Sequence, residues 1–239
     1  MTQIQATTTR RFELREALTA LRRLLADPDD TEQAFRVVRA LDGGSLAWIL
    51  DRMRSDTRGA ELLAGRPSLL AALSDTQALA AMPEGSLGRA YLAFCEREGI
   101  QAGGLVEASE STNADIVDPE LRYVADRMRD SHDLWHVVTG HRTDLAGELS
   151  VLAFTAAQTH GPGVSLLVLG GYLHSFHLWG EVGSQGRRMT REALSRGHRA
   201  AFFPATPWEK WLTRPLEEVR LDLGVSAVPV YRPFYRRDF

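Results

Sequence analysis

Two histidines of this chain stand where helical periodicity calls for leucine. Leu121, Val124, Ala125, Met128, His132, Trp135 and His136 recur at intervals of three and four residues, the pattern of one helix face turned inward. Arg122, Asp126, Arg129 and Asp130 fall on the opposite side, the one expected to face solvent. A helix turns about 100° per residue, so with His132 as origin His136 lies about 40° round and Asp133 about 100° round. The run His132-Asp133-x-x-His136 therefore aims two imidazoles and a carboxylate into one buried sector. Asp118 followed by Pro119 predicts the helix start, a capping side chain and then proline at the first position. Gly140 is placed to end it.

A second helix is predicted to begin at Thr143 or Asp144, with Leu145, Leu149, Leu152, Ala153 and Ala156 on its apolar side. Glu148 falls on that same side. Short loops join antiparallel helices. His136 precedes Gly140 by four residues and Glu148 follows Thr143 by five, so the hairpin brings them to one height. A buried, unpaired carboxylate is costly or becomes protonated. Two buried carboxylates facing two imidazoles are better explained by a shared cation. The plainer reading, hydrogen-bonded core histidines, covers HxxxH alone but not a second acid on the facing helix. A donor set of nitrogen and oxygen suits Zn²⁺, Fe²⁺, Mn²⁺ or Co²⁺.

Composition narrows the classes. At 239 residues one domain is expected, and a net charge of −3 carries no global nucleic-acid signature. The charge is uneven: residues 187–239 hold 11 Arg and Lys against 6 acids, while residues 1–186 are net negative at −8. With Trp208, Trp211, Tyr231, Phe234 and Tyr235, this quarter fits either an anionic membrane surface or a solvated basic face with aromatics in the core. Cys95 is the only cysteine, which excludes an intramolecular disulfide, and it reads as a small buried residue. The start, MTQIQATTTRRF, lacks the apolar core of a secretory signal. Residues 1–8 are expected to be a disordered leader and residues 226–239 an irregular basic-aromatic tail.

The rest of the chain reads as all-α. Helices are predicted over Thr9–Leu25, Thr31–Leu41, Ser45–Arg54, Leu69–Leu73 and Leu87–Glu98, with a loop from Gly103-Gly104 to Asp118. The run Val164–Leu173 is too short to span a bilayer, which takes about 20 residues. It is expected to be a core helix that could line a pocket, Gly170-Gly171 permitting close approach. His160, His174 and His177 read as polar loop edges. A basic helix is expected over Thr190–Arg199. Thr206-Pro207-Trp208-Glu209 has capping-box order and predicts a helix continuing to Gly224. Alternating strand patterns and internal repeats are absent from the sequence.

HDLWHxxxGxxTDLAGE followed by AAQTHGPG resembles the Coq4 family of ubiquinone (coenzyme Q) biosynthesis proteins, which carries HDxxH, eleven residues, then Glu. His132, Asp133, His136 and Glu148 match at that spacing. DTEQAFRVVRALDGGS, GSLGRAYLAF, DPELRYVADRMRDSHD and WEKWLTRPLEEVRLDLGV extend the likeness from about Leu24 to Val225. The resemblance implies a single-domain helical bundle, a homodimer peripheral to a membrane, with a hydrophobic groove for a prenylated quinone precursor or other isoprenoid lipid. It implies a divalent metal, Zn, Fe, Mn or Co, on those four residues. They would also be catalytic, in oxidative decarboxylation of a polyprenyl-hydroxybenzoate whose C1 carboxylate is replaced by hydroxyl. Other quinone-biosynthesis enzymes are implied partners, and the expected location is cytoplasmic, on the inner membrane. The rival is a non-enzymatic lipid-binding scaffold that organises the biosynthetic complex. A metal-dependent phosphohydrolase ranks below both, because its further His and Asp motifs are missing from the sequence.

Overall fold

The structure is a computed structural model that describes residues 12–177, 180–225 and 228–235. The expected leader lies outside the described residues. The fold is all-α, and among the described residues the nearest approach to a strand is one antiparallel bridge between Ser86 and Pro215. Helices α1 (Leu14–Ala26) and α2 (Thr31–Ala40) form a hairpin, followed by α3 (Ser45–Ser55), α4 (Thr57–Gly65), α5 (Leu69–Ser74) and α6 (Thr76–Ala80). Then come α7 (Leu87–Glu98), α8 (Val106–Asn113), α9 (Pro119–Asp130) and α10 (His132–Thr139). The remainder comprises α11 (Leu145–Thr159), α12 (Pro162–His174), α13 (Glu181–Arg199), a 3-10 turn at Phe203–Ala205, α14 (Trp208–Trp211) and α15 (Leu216–Asp222).

Local chemistry explains most boundaries. The Asp118 carboxylate accepts from the amides of Glu120 and Leu121, and Pro119 opens α9 as predicted. Gly140 ends α10 with φ 80°, its amide bonding the His136 carbonyl at 2.9 Å. Asp56, Ser68, Asp75 and Ser86 cap α4, α5, α6 and α7 through their side chains. Two of these helices, α4 and α6, and also α8 inside the expected Gly103–Asp118 loop, are additions to the sequence reading. The helix α13 begins at Glu181 rather than Thr190.

The core that positions the site is aromatic. Trp135 of α10 packs on Phe154 of α11 and on Phe203, with ring centroids 5.9 and 5.2 Å away, and Phe203 meets Trp208 at 5.6 Å. All four rings are at most 1% exposed. Packing of α13 on α11 is backbone-close at Gly197, where a β-carbon would stand 2.8 Å from the Phe154 carbonyl. Arg220 donates to the carbonyls of Val137 and Val138, and Arg196 to that of Thr139. Two basic residues of the C-terminal quarter thus satisfy the open carbonyls at the end of α10.

Three expectations are corrected. The helix from Pro119 to Gly140 is two segments, meeting at Ser131 with φ −84° and ψ −7°. The supposed solvent face of α9 is largely covered: the side chains of Arg129 and Asp130 are 7% and 8% exposed and pair at 2.7 Å. Beside them Arg127, at 3% exposure, forms two bonds to Glu209 at 2.7 and 3.0 Å and one to the Thr206 carbonyl. That ion pair also undoes the capping box. Glu209 turns to Arg127, the Thr206 hydroxyl is buried without a partner, and the helix stops at Trp211, before Pro215 starts α15.

Candidate metal centre

The α10–α11 hairpin brings three of the four expected ligands to a point. His132 Nε2 and His136 Nε2 are 3.2 Å apart, and Glu148 Oε2 lies 3.5 and 3.4 Å from them. An ion held tetrahedrally by bonds of about 2.0–2.1 Å has ligand atoms about 3.3 Å apart. The three spacings match that edge, so these residues fit a divalent ion of this class. The His136 side chain is fully buried, and its Nδ1–H donates to the His141 carbonyl at 3.3 Å, leaving Nε2 to face the other two. Phe94 of α7 stacks on the same imidazole at 5.7 Å.

Electrostatics tie the group together. Burial alone pulls the His136 imidazole down, but the charge and hydrogen bond of Glu148, with Asp133 and the His141 carbonyl, raise it above its ordinary value of 6.5. Burial pushes the Glu148 carboxyl up, yet His136 and His132 hold it well below the usual carboxylate range. Asp133 is not among the three converging groups. Burial raises its carboxyl against the pull of both histidines, with Glu148 adding repulsion, and it lines the same cleft as His132 and Glu148.

That cleft holds about 880 Å³. Its walls are mainly apolar: Leu21, Leu24 and Leu25 of α1, Phe35 and Val38 of α2, Leu149 and Leu152 of α11, Leu167 of α12. Glu148, whose side chain is 40% exposed, lines this space. Gly170 and Gly171 give the close approach expected of them, since β-carbons there would stand 2.9 Å from Leu21 and 2.7 Å from Leu149. The helix α12 is only partly core. Val164 and Leu167 are buried, while Leu169, Leu173 and nearby Phe176 are 53%, 53% and 61% exposed. Of the three histidines expected at loop edges, His174 is instead the last residue of α12 and lines the cleft, and His160, at φ 53°, ends α11 with its ring against Trp48. None belongs to the converging group. Cys95 is buried and free, with burial raising its thiol. No helix of the described residues is long and apolar enough to cross a membrane.

Asp144 and Arg127 were missed as structural actors. Asp144 is 1% exposed at the start of α11, and burial raises its carboxyl against hydrogen bonds from Tyr231 and the Phe234 amide. Its only sequence signal was its place at a helix start.

The profile of the family described as "Coenzyme Q (ubiquinone) biosynthesis protein Coq4" matches residues 4–229. The chain belongs to the Coq4 family. Among curated Coq4 relatives, the mitochondrial ubiquinone biosynthesis protein homologue of Danio rerio is 33% identical over 187 residues, covering 78% of this chain and 66% of that one. The human homologue is 30% identical over 192 residues, covering 78% and 68%. The chain thus spans about two thirds of the length of these Coq4 proteins. A crystal structure from Nostoc punctiforme, of a protein named for ubiquinone biosynthesis, shares the fold with a TM-score of 0.65 at 23% identity, covering 91% of this chain and all of that one.

Proposed function

We propose that this ubiquinone biosynthesis protein holds one divalent ion on His132, His136 and Glu148, with Asp133 completing the ligand set, and a prenylated hydroxybenzoate in the cleft beside it. The observation that carries this reading is the coincidence of two features. Three metal-type donors converge at tetrahedral spacing, and they do so on the wall of an apolar cleft of about 880 Å³. A long apolar tail against leucines with a polar ring beside the donors is the division of labour such a site favours. The reaction is replacement of the ring C1 carboxylate by hydroxyl with O₂ as oxidant: the C1–carboxyl bond breaks to release CO₂, a C1–O bond forms, and the two electrons leave with O₂ as H₂O₂. The ion, when bound, supplies Lewis acidity, and as Fe, Mn or Co a redox couple as well.

The chain's own part is to bind and orient. His136 stays in one tautomer because His141 takes its Nδ1 proton in a hydrogen bond. Glu148 and Asp133 set the local charge, and the leucines exclude water from the ring. Leu169, Leu173 and Phe176, exposed on and beside α12, support peripheral contact with the inner membrane, from which a prenylated substrate would enter. A homodimer and association with other quinone-biosynthesis enzymes belong to the same reading.

The test is turnover. Metal-loaded protein given oxygen and a prenylated 4-hydroxybenzoate labelled at its carboxyl carbon should release labelled CO₂ and the ring-hydroxylated product. Tight binding of that compound with no CO₂ release, across Zn, Fe, Mn and Co, would instead establish the scaffold role.

A further inference from the structure

We propose that the C-terminal segment from Val228 to Tyr235 is a positioning clamp for the metal centre, with Tyr231 as its principal residue. This rests on the metal reading above and goes beyond it. The loop joining α10 to α11 serves the site twice. The His141 carbonyl holds the Nδ1–H of His136, and Asp144 begins the helical turn whose Glu148 amide donates back to the Asp144 carbonyl at 2.8 Å. Whatever fixes this loop fixes both ligands relative to one another.

The C-terminal segment covers that loop almost residue by residue. Val228 sits directly on Gly140, where a β-carbon would come within 2.3 Å of its Cγ1. The ring of Tyr231 lies 6.2 Å from that of His141. The Tyr231 hydroxyl accepts from the Arg142 amide at 2.8 Å and donates to Asp144 Oδ1 at 2.7 Å. The Phe234 amide donates to the other Asp144 oxygen at 3.1 Å. Tyr235 and Thr143 both donate to Glu98 Oε2, at 2.9 and 2.7 Å, which ties the end of the segment to the end of the loop through α7. On the far side Gln185 of α13 donates to the Arg232 carbonyl at 2.7 Å and accepts from its amide at 3.4 Å.

These contacts do more than fill surface. Asp144 is 1% exposed and both its oxygens accept from this segment. Loss of those donors leaves a buried carboxylate seeking other partners at the root of the turn that carries Glu148. Groups that orient metal ligands from behind commonly change metal affinity by about 10- to 100-fold when removed. Tyr231→Phe deletes one hydroxyl and keeps the ring, so it isolates the Arg142–Tyr231–Asp144 link.

The experiment is titration of metal-free wild type and Tyr231→Phe with Co²⁺, and with Zn²⁺ against a chromophoric chelator, with helicity followed by circular dichroism. The clamp predicts Zn²⁺ affinity weakened about 10- to 100-fold and a changed Co²⁺ visible spectrum, at unchanged helicity. A filler segment would lower thermal stability and move neither readout. By reciprocity of coupled binding, Zn²⁺ should also slow hydrogen exchange at the Phe234 amide of the wild type. Equal affinity and spectrum in the two proteins, or no effect of Zn²⁺ on that amide, overturns the clamp and leaves the metal centre standing. A wild type that takes up neither ion overturns both.

Discussion

His136 and Glu148 carry opposite shifts, and their signs set how the site responds to acid. His136 is raised above 6.5 by Glu148 despite its burial, so its stabilisation of the metal-free protein is full below about pH 6.5 and fades as pH rises through the raised value. Glu148 is depressed from 4.5 by the two histidines, so its contribution is full above about pH 4.5 and is lost as pH falls through the lowered value. A bound ion needs the His136 Nε2 lone pair and therefore competes with its proton. Metal affinity should fall as pH drops through the raised His136 value, and loading near neutrality should release protons. Calorimetric titration in two buffers of different ionisation enthalpy measures that release; no release would contradict the assignment of His136 as a ligand. A second prediction concerns Arg127, nearly sealed beside Glu209. Glu209→Ala leaves that charge unpaired and should cost about 3–5 kcal/mol in urea unfolding, with the metal site unaffected. A loss below about 1 kcal/mol would show the pair to be inconsequential. At this scale the convergence of His132, His136 and Glu148 was legible because helical spacing is fixed and the hairpin is local, whereas Asp133 stays outside the converging group. Arg127 and Asp144 were not legible, because their partners stand 82 and 87 residues away.

Among the elements, α11 and α12 both line the cleft, and Gly171 sits where they approach each other. The nearest atoms to a β-carbon at Gly171 would be those at the flexible end of Leu149, the first at 2.7 Å. Gly171→Leu should therefore fold, fill part of the cleft and weaken binding of a prenylated ligand by at least about tenfold, since each displaced methylene contributes about 0.8 kcal/mol. Metal content should not change. Undiminished prenyl-ligand affinity in a folded Gly171→Leu protein would place the ligand elsewhere. The helices themselves were read well where apolar periodicity ran for three turns or more, as in α7 and α11, while α1 was expected from Thr9 and begins only at Leu14, with Phe12 and Glu13 outside it. They were read poorly where one or two turns rest on a cap. Asp56 and Asp75 each start a short helix through side-chain bonds in segments too brief to display a period. The boundary at Ser131 leaves the apolar stripe intact across both segments, so periodicity gave no sign of it.

For the whole molecule, the all-α architecture followed from the absence of alternating patterns, and the apolar cleft follows from how the helices cross. The aliphatic sides of α1, α2, α11 and α12 pack on one another in part and elsewhere line a common space. No single helix pattern could reveal this, since a lining leucine and a packed leucine look alike in sequence. The candidate metal centre borders that space through His132 and Glu148, and an ion held with Glu148 as a ligand is the central claim. It is tested most directly by elemental mass spectrometry on wild type and Glu148→Ala, both purified without a metal-affinity column. One Zn, Fe, Mn or Co per chain in the wild type, lost in a Glu148→Ala protein of unchanged helicity, is the expected result. No ion in the wild type even after reconstitution, or equal metal in both proteins, would contradict it.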